Sequence, residues 1–363
     1  MKIAIIGHSA KPVTEHSQGY LEMFTYNLIV GLLEEGMDVT LFAKHGSVVP
    51  CELYTFNFNS IDWSFDKSVN PEESLKEKKF AEEQHAYFEV FNIIRESSFA
   101  VVHNISLHQI PIFTAQFLPI STLTSLHTAP LALLQSSIKL NQDRKNYYAT
   151  VSHELKSIWS PHTRIDDVIY NGIDENRWKF YKHVEEKQAI WIADITRGNK
   201  LVDVIQACNE LKWRLWIIGN IPNEAYYTYI IKPLLSESIE YLGDLDAEES
   251  MKYLKRSHVM ALTKSDPDYF GWDIMKSLSL GTPVAAYESP EIVEFLYSAC
   301  GTFAENDNPS ALKAAIVGAS EKSREDCRNF VLDNYTQKRM VREYISLYRK
   351  IINEKRPSNK ILK

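Results

Sequence analysis

The sequence predicts an α/β protein built from two doubly wound domains, each formed around a parallel sheet. Apolar segments of strand length alternate with segments of helical periodicity along most of the chain. This alternation stops over a polar, charged stretch between Glu175 and Lys187 and then starts again. A chain of 363 residues is also longer than one compact domain usually is.

The composition narrows the class of protein. Hydrophobic residues make up 45% of the chain and charged residues 24%, as in ordinary globular proteins. A formal net charge of -7 argues against nucleic acid as the main partner. The four cysteines are scattered without metal-ligand spacing, so we predict free thiols and no metal site. The apolar segment at the start is too short to span a membrane and has no cleavage site, which favours a cytoplasmic location.

The first half opens as a strand, a glycine-containing loop, a helix and a second strand, which is how a Rossmann-like domain begins. A long helix that starts with Asn-Pro and three further apolar strands follow. The predicted bounds are Lys2–Gly7, Leu21–Glu35, Asp38–Ala43, Asn70–Glu96, Ala100–Ile105, Ile120–His127 and Tyr147–Ser152.

His127 stands at the carboxyl end of one of these strands, where open α/β sheets place their ligands. We therefore predict a functional role for His127, with a structural histidine as the alternative. His103 and His108 are less well placed, and we expect both to be structural.

The second half repeats the alternation and predicts a second doubly wound domain. Its predicted strands and helices are Ala189–Ile195, Lys200–Leu211, Arg214–Gly219, Ala225–Leu235, Ile239–Gly243, a helix capped by Asp246, and His258–Thr263.

A loop, a helix and a buried strand are predicted between Ser265 and Tyr287, SDPDYFGWDIMKSLSLGTPVAAY. Gly281 fits the position just after a helix, where φ is often positive. The backbone N–H groups at the start of the helix, at Phe270, Gly271 and Trp272, form a place to hold a diphosphate. The alternative interpretation is an ordinary helix–strand unit of a doubly wound domain.

This stretch resembles the signature of retaining GT-B glycosyltransferases, especially family 4. That pattern has a carboxylate, then two residues and a glycine. A helix follows with a second Glu eight positions after the first carboxylate, and the pattern ends in Gly-Thr-Pro-Val. Asp268 stands at the first carboxylate, and Gly271 and the segment Gly281–Val284 match. Lys276 stands where the second Glu is expected, so acceptors for the ribose hydroxyls are replaced by donors.

Other segments resemble the same family in the same order. YYATVSHE is similar to its Ala-Val-Ser-Glu element, and VIYNGID to the segment that closes its first domain. Gly19 matches the first of two loop glycines, but Tyr20 replaces the second. In the Gly-Arg…Lys-Gly element Lys200 takes the Lys position and Asp194 the Arg position. Arg197 either substitutes for that Arg or is a solvated loop residue.

The resemblance implies a GT-B fold, with two Rossmann-like domains facing across a cleft. It assigns residues 1–175 to the acceptor side and 188–335 to nucleotide-sugar binding. Residues 336–363 would form a helix that crosses back to the first domain, followed by a basic tail. The implied activity is metal-independent, retaining transfer of a sugar from a nucleoside diphosphate sugar to an acceptor hydroxyl. We expect no cofactor, with a UDP-sugar as donor.

The implied catalytic residues are His127 and Asp268. The implied donor-binding residues are Gly19, Arg197, Lys200, Phe270, Gly271, Trp272 and Lys276. A role in glycan biosynthesis is implied, with a lipid-linked or small-molecule acceptor and a peripheral membrane contact. Two alternatives remain: a catalytically silent GT-B subunit that binds a glycan or a partner enzyme, and a nucleotide-sugar epimerase.

Overall fold

A computed structural model of the chain describes residues 1–17, 19–56, 71–141, 145–264, 269–305 and 307–354. The chain divides into two compact units, one of Met1–Tyr170 with Met340–Lys363 and the other of Asn171–Arg339. Each unit contains one sheet whose paired strands run parallel, with seven strands in the first and six in the second. The predicted fold class of two doubly wound α/β sheets is therefore confirmed.

Unit 1 has the strand order β3-β2-β1-β4-β5-β6-β7. Its strands are β1 (Lys2–Ile6), β2 (Asp38–Ala43), β3 (Glu52–Thr55), β4 (Val101–Asn104), β5 (Thr122–Leu126), β6 (Asn146–Thr150) and β7 (Asp167–Val168). Its helices before the division are α1 (Tyr20–Glu34), α2 (Pro71–Arg95), α3 (Gln109–Thr114), α4 (Ala132–Leu140) and α5 (His153–Trp159), with a 3-10 turn at Ala115–Phe117.

Unit 2 has the strand order β10-β9-β8-β11-β12-β13. Its strands are β8 (Glu185–Ile192), β9 (Arg214–Ile218), β10 (Ile239–Gly243), β11 (Ser257–Leu262), β12 (Val284–Tyr287) and β13 (Gly301–Ala304). The helices are α6 (Leu201–Leu211), α7 (Glu224–Tyr226), α8 (Ala247–Leu254), α9 (Trp272–Ser279), α10 (Pro290–Phe295), α11 (Pro309–Ser320) and α12 (Arg324–Asn334). The last helix, α13 (Gln337–Asn353), belongs to unit 1 from Met340 onward.

A buried histidine links α13 to the sheet of unit 1 by hydrogen bonds. The Tyr348 hydroxyl lies 2.6 Å from His103 Nδ1, and the Ser125 hydroxyl lies 2.7 Å from His103 Nε2. Burial, helped by nearby His127, holds the pKa of His103 well below its usual value, so the ring is neutral. His103 therefore has the structural role expected for it. The basic tail beyond residue 354 lies outside the described residues.

The polar stretch predicted as the boundary between domains is hydrogen-bonded to α12 of unit 2. Arg328 Nη1 and Nη2 donate to the carbonyls of Trp178 and Glu175, at 2.7 and 3.0 Å. Arg324 Nη2 donates to the carbonyl of Tyr181 at 3.1 Å. Two arginines distant in sequence therefore bind carbonyls of this stretch. The division between the units lies earlier, between Tyr170 and Asn171.

The helix predicted over Ala225–Leu235 is divided into three short pieces. After α7 the chain forms a π turn at Tyr227–Ile231 and a 3-10 turn at Lys232–Leu234. Pro233 lies in the last turn and has no backbone N–H to continue an α-helix. The prediction of one regular helix here was wrong, because it overlooked this proline.

Among the described residues, no helix is both long enough and apolar enough to cross a membrane.

Candidate functional site

Two neighbouring strands of unit 2 end at the same edge of the sheet and carry most of the predicted donor residues. β8 pairs in parallel with β11, with Ala189 opposite Val259 and Ile190 opposite Met260. The loop after β8 contains Arg197 and leads into α6, while the loop after β11 leads into α9. Ligands of open α/β sheets bind at the carboxyl ends of such strands. This edge, called the donor edge below, comprises residues 193–200, 263–264 and 269–276.

A buried chain of hydrogen bonds joins the two loops of the donor edge. The Trp191 indole Nε1 donates to Thr263 Oγ1 at 3.0 Å, and Thr263 Oγ1 donates to the Asn199 carbonyl at 2.7 Å. Asn199 Nδ2 in turn donates to the Asp194 carbonyl at 2.8 Å. Because these side chains are shielded from water, the loop after β8 is held in one position relative to β11. Sequence reasoning missed this network, since its members come from separate segments.

A glycine at the end of β9 lets another strand approach the same loop closely. Gly219 has a φ of +149°, and a Cβ there would collide with the carbonyl oxygen of Ala193. The Tyr241 hydroxyl donates to the Gly219 carbonyl at 2.8 Å and fixes this turn. The glycine after the apolar run RLWII was visible in the sequence as a signal of such an approach.

Lys200 begins α6 in an unusual backbone conformation. Its φ of +56° and ψ of +30° lie in the left-handed region that glycine adopts most readily. If the glycine of the Lys-Gly element occupies this position, the lysine of that element falls on Asn199. In the register predicted from the sequence it falls on Lys200. The Lys200 ammonium forms an ion pair with Asp307, so its role with a diphosphate stays a prediction.

Arg197 and Asp194 are both exposed in the loop after β8. The Arg197 guanidinium lies over the ring of Tyr226, 5.2 Å from its centroid. The exposed cationic head of Arg197 therefore has a cation–π contact with an aromatic ring on α7. Whether it substitutes for the arginine that Asp194 replaces stays a prediction.

The entry into α9 is tightly constrained. Gly271 has a φ of +66°, and a Cβ there would lie 2.5 Å from the ring of Phe295. Asn171 Nδ2 donates to the Phe270 carbonyl at 3.1 Å, just before the helix begins. The Trp272 indole is buried, and its Nε1 has no hydrogen-bond partner among the residues that the structure describes. Asp268, the predicted carboxylate beneath the sugar, lies outside the described residues.

An ion pair that the sequence did not predict lies beside this helix entry. The Lys264 ammonium, just after β11, pairs with the carboxylate of Asp273 in the first turn of α9. Only 19% of the Lys264 side chain and 13% of the Asp273 side chain is exposed. The pair therefore lies in a poorly screened environment at the donor edge.

Lys276, at the position of the expected second Glu, lies against two indoles. Its Nζ is 5.4 Å from the Trp178 ring centroid and 5.9 Å from that of Trp272. The side chain is half-buried, and whether it lies at a nucleotide pocket stays a prediction. Cation–π contacts of this kind stabilise an ammonium that has left water.

The predicted site residues His127 and Gly19 belong to unit 1, whereas the donor edge belongs to unit 2. His127 is 1% exposed after β5, and its ring lies 4.6 Å from that of Phe24. Burial lowers the pKa of His127 to about 3, so its imidazole is neutral at physiological pH. Gly19 caps α1, and a Cβ there would collide with the buried carboxylate of Glu22. Roles for His127 and Gly19 with a donor stay predictions.

A polar cluster near the start of unit 1 was not predicted. His108 Nε2 lies 3.1 Å from Gln84 Nε2, and its ring stacks on Tyr87 at 4.3 Å. Burial lowers the pKa of His108 to about 4 against a rise caused by Glu83, and burial also lowers the pKa of His8. His108 also caps α3 by accepting from the Ile110 N–H, as expected of a structural histidine. Among the described residues, no group of three or more His, Cys, Asp or Glu is arranged to hold a metal ion.

Comparison with known sequences relates unit 2 to one family. Residues 172–337 match the family model described as "Glycosyl transferases group 1". An O-antigen biosynthesis glycosyltransferase, WclY of Escherichia coli, is 25% identical over 230 residues. That similarity covers 59% of this chain and 61% of the relative's length.

Solved structures resemble the chain over almost all of its length. A glycosyltransferase from Rickettsia africae has a TM-score of 0.72 at 17% identity, covering 97% of this chain and 99% of the other. HepE of Anabaena, solved in complex with UDP, has a TM-score of 0.71 at 15% identity, covering 96% and 100%. WaaG, involved in lipopolysaccharide biosynthesis, has a TM-score of 0.61 at 11% identity, covering 97% and 98%. At these identities the similarity shows the fold, and the expected GT-B fold is confirmed.

Proposed function

We propose that the chain transfers a sugar from a nucleoside diphosphate sugar to an acceptor hydroxyl, because residues 172–337 place it in the glycosyl transferases group 1 family. The observation that carries the proposal is the donor edge itself. Two loops and a helix N-terminus meet there at the ends of adjacent strands, and buried hydrogen bonds hold them. A UDP-sugar is the proposed donor, and complexes of HepE with UDP and with UDP-glucose support this choice.

The proposed chemistry depends on stabilising the departing diphosphate. The backbone N–H groups of Phe270, Gly271 and Trp272 at the start of α9 would bind its oxygens, with the partial positive charge of the helix behind them. Lys200, and Arg197 over Tyr226, would supply cations from the loop after β8. We propose that no metal is required, because N–H groups and cations would take over the neutralisation that a metal otherwise provides.

Transfer with retention of configuration requires positioned polar groups around the sugar. Asp268 would accept hydrogen bonds from sugar hydroxyls and stabilise positive charge at the anomeric carbon. His127 would act as a neutral imidazole, because burial lowers its pKa to about 3. A neutral ring donates one hydrogen bond and accepts another, so His127 would orient a hydroxyl without adding charge.

A catalytically silent GT-B subunit is the second candidate, and the charge of the donor edge favours it. Asp194 puts an exposed carboxylate where the motif has an arginine, and Lys276 replaces an acceptor with a donor held against two indoles. Such a subunit would bind a glycan or a partner enzyme without turnover. A nucleotide-sugar epimerase, the lesser alternative, would return an isomerised nucleotide sugar and transfer nothing.

Peripheral membrane contact during glycan biosynthesis has support on unit 1. No Asp, Glu, Lys or Arg occurs between residues 97 and 138. This uncharged stretch includes exposed apolar side chains on α3, the following turn and α4, namely Phe113, Phe117, Leu131 and Leu133. Apolar side chains without nearby charge bind the interfacial region of a bilayer readily. Co-flotation with anionic vesicles should be weakened by Phe117→Ser with Leu133→Ser, and not by Tyr229→Ser on unit 2.

Thermal unfolding with nucleoside diphosphates separates these proposals. UDP, GDP or ADP that binds only the folded chain must raise the melting temperature. We expect UDP to do so, and UDP-sugars to release UDP more rapidly when an acceptor is present. Stabilisation without release from any sugar would favour the silent subunit, and an isomerised nucleotide sugar would favour the epimerase. No stabilisation by any of the three diphosphates would contradict the proposed donor class.

A further inference from the structure

Two central strands of unit 1 mark the point where the strand order of its sheet reverses. From β1 the sheet continues through β2 and β3 on one side, and through β4 to β7 on the other. β1 and β4 pair in parallel with Ile6 opposite Asn104, so the two strands end at the same level. Open α/β sheets bind ligands in the crevice outside the carboxyl ends of the strands at such a reversal. A ligand of unit 1 is therefore expected beside the loops that follow β1 and β4.

A histidine and a glutamate that are distant in sequence meet at this point. His8, in the loop after β1, is half-buried, and the hydroxyl of the next residue, Ser9, donates to Glu83 Oε1 on α2. Burial lowers the pKa of His8, and the nearby carboxylates of Glu22 and Glu83 raise it against that fall. The His8 ring is therefore largely neutral at physiological pH and has negative charge close to it.

The loop after β4 holds a second histidine against the same helix. Leu107 has a φ of +53°, in the left-handed region that a residue with a Cβ rarely adopts. Asn104 Oδ1 accepts from the Ser106 hydroxyl at 2.6 Å, and Ser106 Oγ accepts from the His108 N–H at 3.1 Å. The His108 ring then meets the side-chain amide of Gln84 on α2. These contacts hold the strained turn in place, and they hold α2 beside the strand ends.

Both His8 and Glu83 keep hydrogen-bonding capacity for a ligand. His8 Nδ1 accepts from the Ala10 N–H at 3.0 Å, so the proton of the neutral ring lies on Nε2. Within the part of the chain that the structure describes, this is the hydrogen bond that the His8 ring makes, and the bond from Ser9 is the one that the Glu83 carboxylate makes. An imidazole N–H and a carboxylate oxygen therefore remain for a ligand.

The charges at this point favour an uncharged ligand that carries hydroxyl groups. An imidazole N–H donates to a hydroxyl oxygen, and a carboxylate accepts from a hydroxyl proton. A phosphate would be repelled by Glu83 and by the buried carboxylate of Glu22. Their effect on the histidine ring is larger than the opposing effect of the two lysines that also act on it, Lys11 and Lys44.

We infer that His8 and Glu83 bind hydroxyl groups of an uncharged sugar at the strand reversal of unit 1, and that this sugar is the acceptor. Glu83 Oε2 accepts from one hydroxyl, and His8 Nε2–H donates to the same hydroxyl or to its neighbour. Ser9 is a positioning residue, because its hydroxyl orients the Glu83 carboxylate. The acceptor role rests on the proposed function, whereas the binding of a sugar at this place does not.

Saturation-transfer NMR of the full chain tests this with the methyl glycosides of glucose, galactose and mannose, with and without UDP. The wild type should bind at least one of them. Glu83→Gln and His8→Ala should each raise its Kd about fivefold or more, since each removes a hydrogen bond to the sugar. Ser9→Ala should raise the Kd less than Glu83→Gln does, because it removes only the orienting contact. Glucose 6-phosphate should bind more weakly than glucose.

Matched residues of unit 1 provide the controls. Glu82 is the neighbour of Glu83 on α2 and forms an ion pair with Lys78, and His45 is an exposed histidine after β2. Glu82→Gln and His45→Ala should leave the Kd for the glycoside unchanged. Calorimetry should give the same Kd for UDP in all variants, and melting temperatures without ligand show that each variant is folded.

Several results would overturn the inference. The wild type could bind no methyl glycoside under either condition, or Glu83→Gln and His8→Ala could bind it as the wild type does. A Kd for UDP that rises as much as the Kd for the glycoside would also contradict a sugar site, and tighter binding of glucose 6-phosphate would contradict an uncharged ligand. If His8→Ala is unfolded, Glu83→Gln decides.

Failure of the proposed function gives a different result. If the wild type binds a glycoside through His8 and Glu83 but binds none of UDP, GDP and ADP, the acceptor role fails with the proposed function and the sugar site stands.

Discussion

Replacing Gly271 by alanine tests how the entry of α9 is built. An alanine there would keep a φ of +66° and would place its Cβ 2.5 Å from the Phe295 ring. The left-handed conformation costs a residue with a Cβ roughly 1–2 kcal/mol. Forcing a methyl group against a buried ring adds about 1–3 kcal/mol. We therefore expect Gly271→Ala to lower the free energy of unfolding of unit 2 by roughly 2–5 kcal/mol.

Gly243→Ala, in the same unit, separates the two costs. Gly243 has a φ of +101° and no atom within 4 Å of the position that a Cβ would take. Because that angle is further from the left-handed minimum near +57°, its backbone cost is at least as large as that at Gly271. The excess loss in Gly271→Ala over Gly243→Ala is therefore a lower bound on the cost of the clash.

Urea unfolding, followed by a probe in unit 2, gives the free energies for both variants. A second substitution, Phe295→Leu, removes the ring and should recover part of the loss in the Gly271→Ala background. Equal destabilisation by Gly271→Ala and Gly243→Ala, with no recovery from Phe295→Leu, would refute the account of a close-packed helix entry.

Three further predictions concern single side chains. Folding favours the neutral form of His127, so its contribution to stability is complete above the unfolded pKa of 6.5 and is lost as the pH falls towards about 3. At pH 5 this should have lowered the free energy of unfolding by about 2 kcal/mol. Urea unfolding of His127→Asn should show a smaller fall in that free energy between pH 7.5 and 5. Lys276→Glu should change the affinity for UDP by more than ~1 kcal/mol and lower the melting temperature, since two cation–π contacts are lost; unchanged calorimetry with UDP, GDP and ADP would make Lys276 a bystander. Lys200→Ala should weaken UDP binding by roughly 1.5–3 kcal/mol, while equal affinity in Lys200→Ala and the wild type would remove Lys200 from the diphosphate site.

Local patterns were sufficient for much of the fold. Strand β2 has the predicted bounds, Asp38–Ala43, because a largely apolar run between a helix end and a loop has few alternatives. The predicted cap of α8 is also confirmed, since the Asp246 carboxylate accepts from the Glu249 N–H at 2.9 Å. Gly281 has a φ of +89°, as expected for a glycine after a helix. Each of these depends on neighbours within a few residues along the chain.

Features made by residues distant in sequence were not predictable in the same way. Arg324 and Arg328 lie far along the chain from the carbonyls that they bind at 175–181, and nothing near either segment reveals the partner. The ion pair of Lys264 with Asp273 likewise required the turn into α9 to be known. The motif assigned Lys200 and Lys276 to donor-binding positions. Their partners, Asp307 for Lys200 and two indoles for Lys276, could not be read from the motif. Such partners set the charge of the site, which is why its chemistry was less predictable than its fold.

The most direct test of the proposed function is donor turnover with the stereochemistry recorded. Proton NMR would follow the wild-type chain with UDP-, GDP- and ADP-sugars, with Asp268→Asn as the variant that lacks the carboxylate. The account predicts that a UDP-sugar is consumed, that the sugar first released keeps the anomeric configuration of the donor, and that Asp268→Asn is at least ~10²-fold slower. Release with inverted configuration, or no consumption of any of these donors, would contradict it.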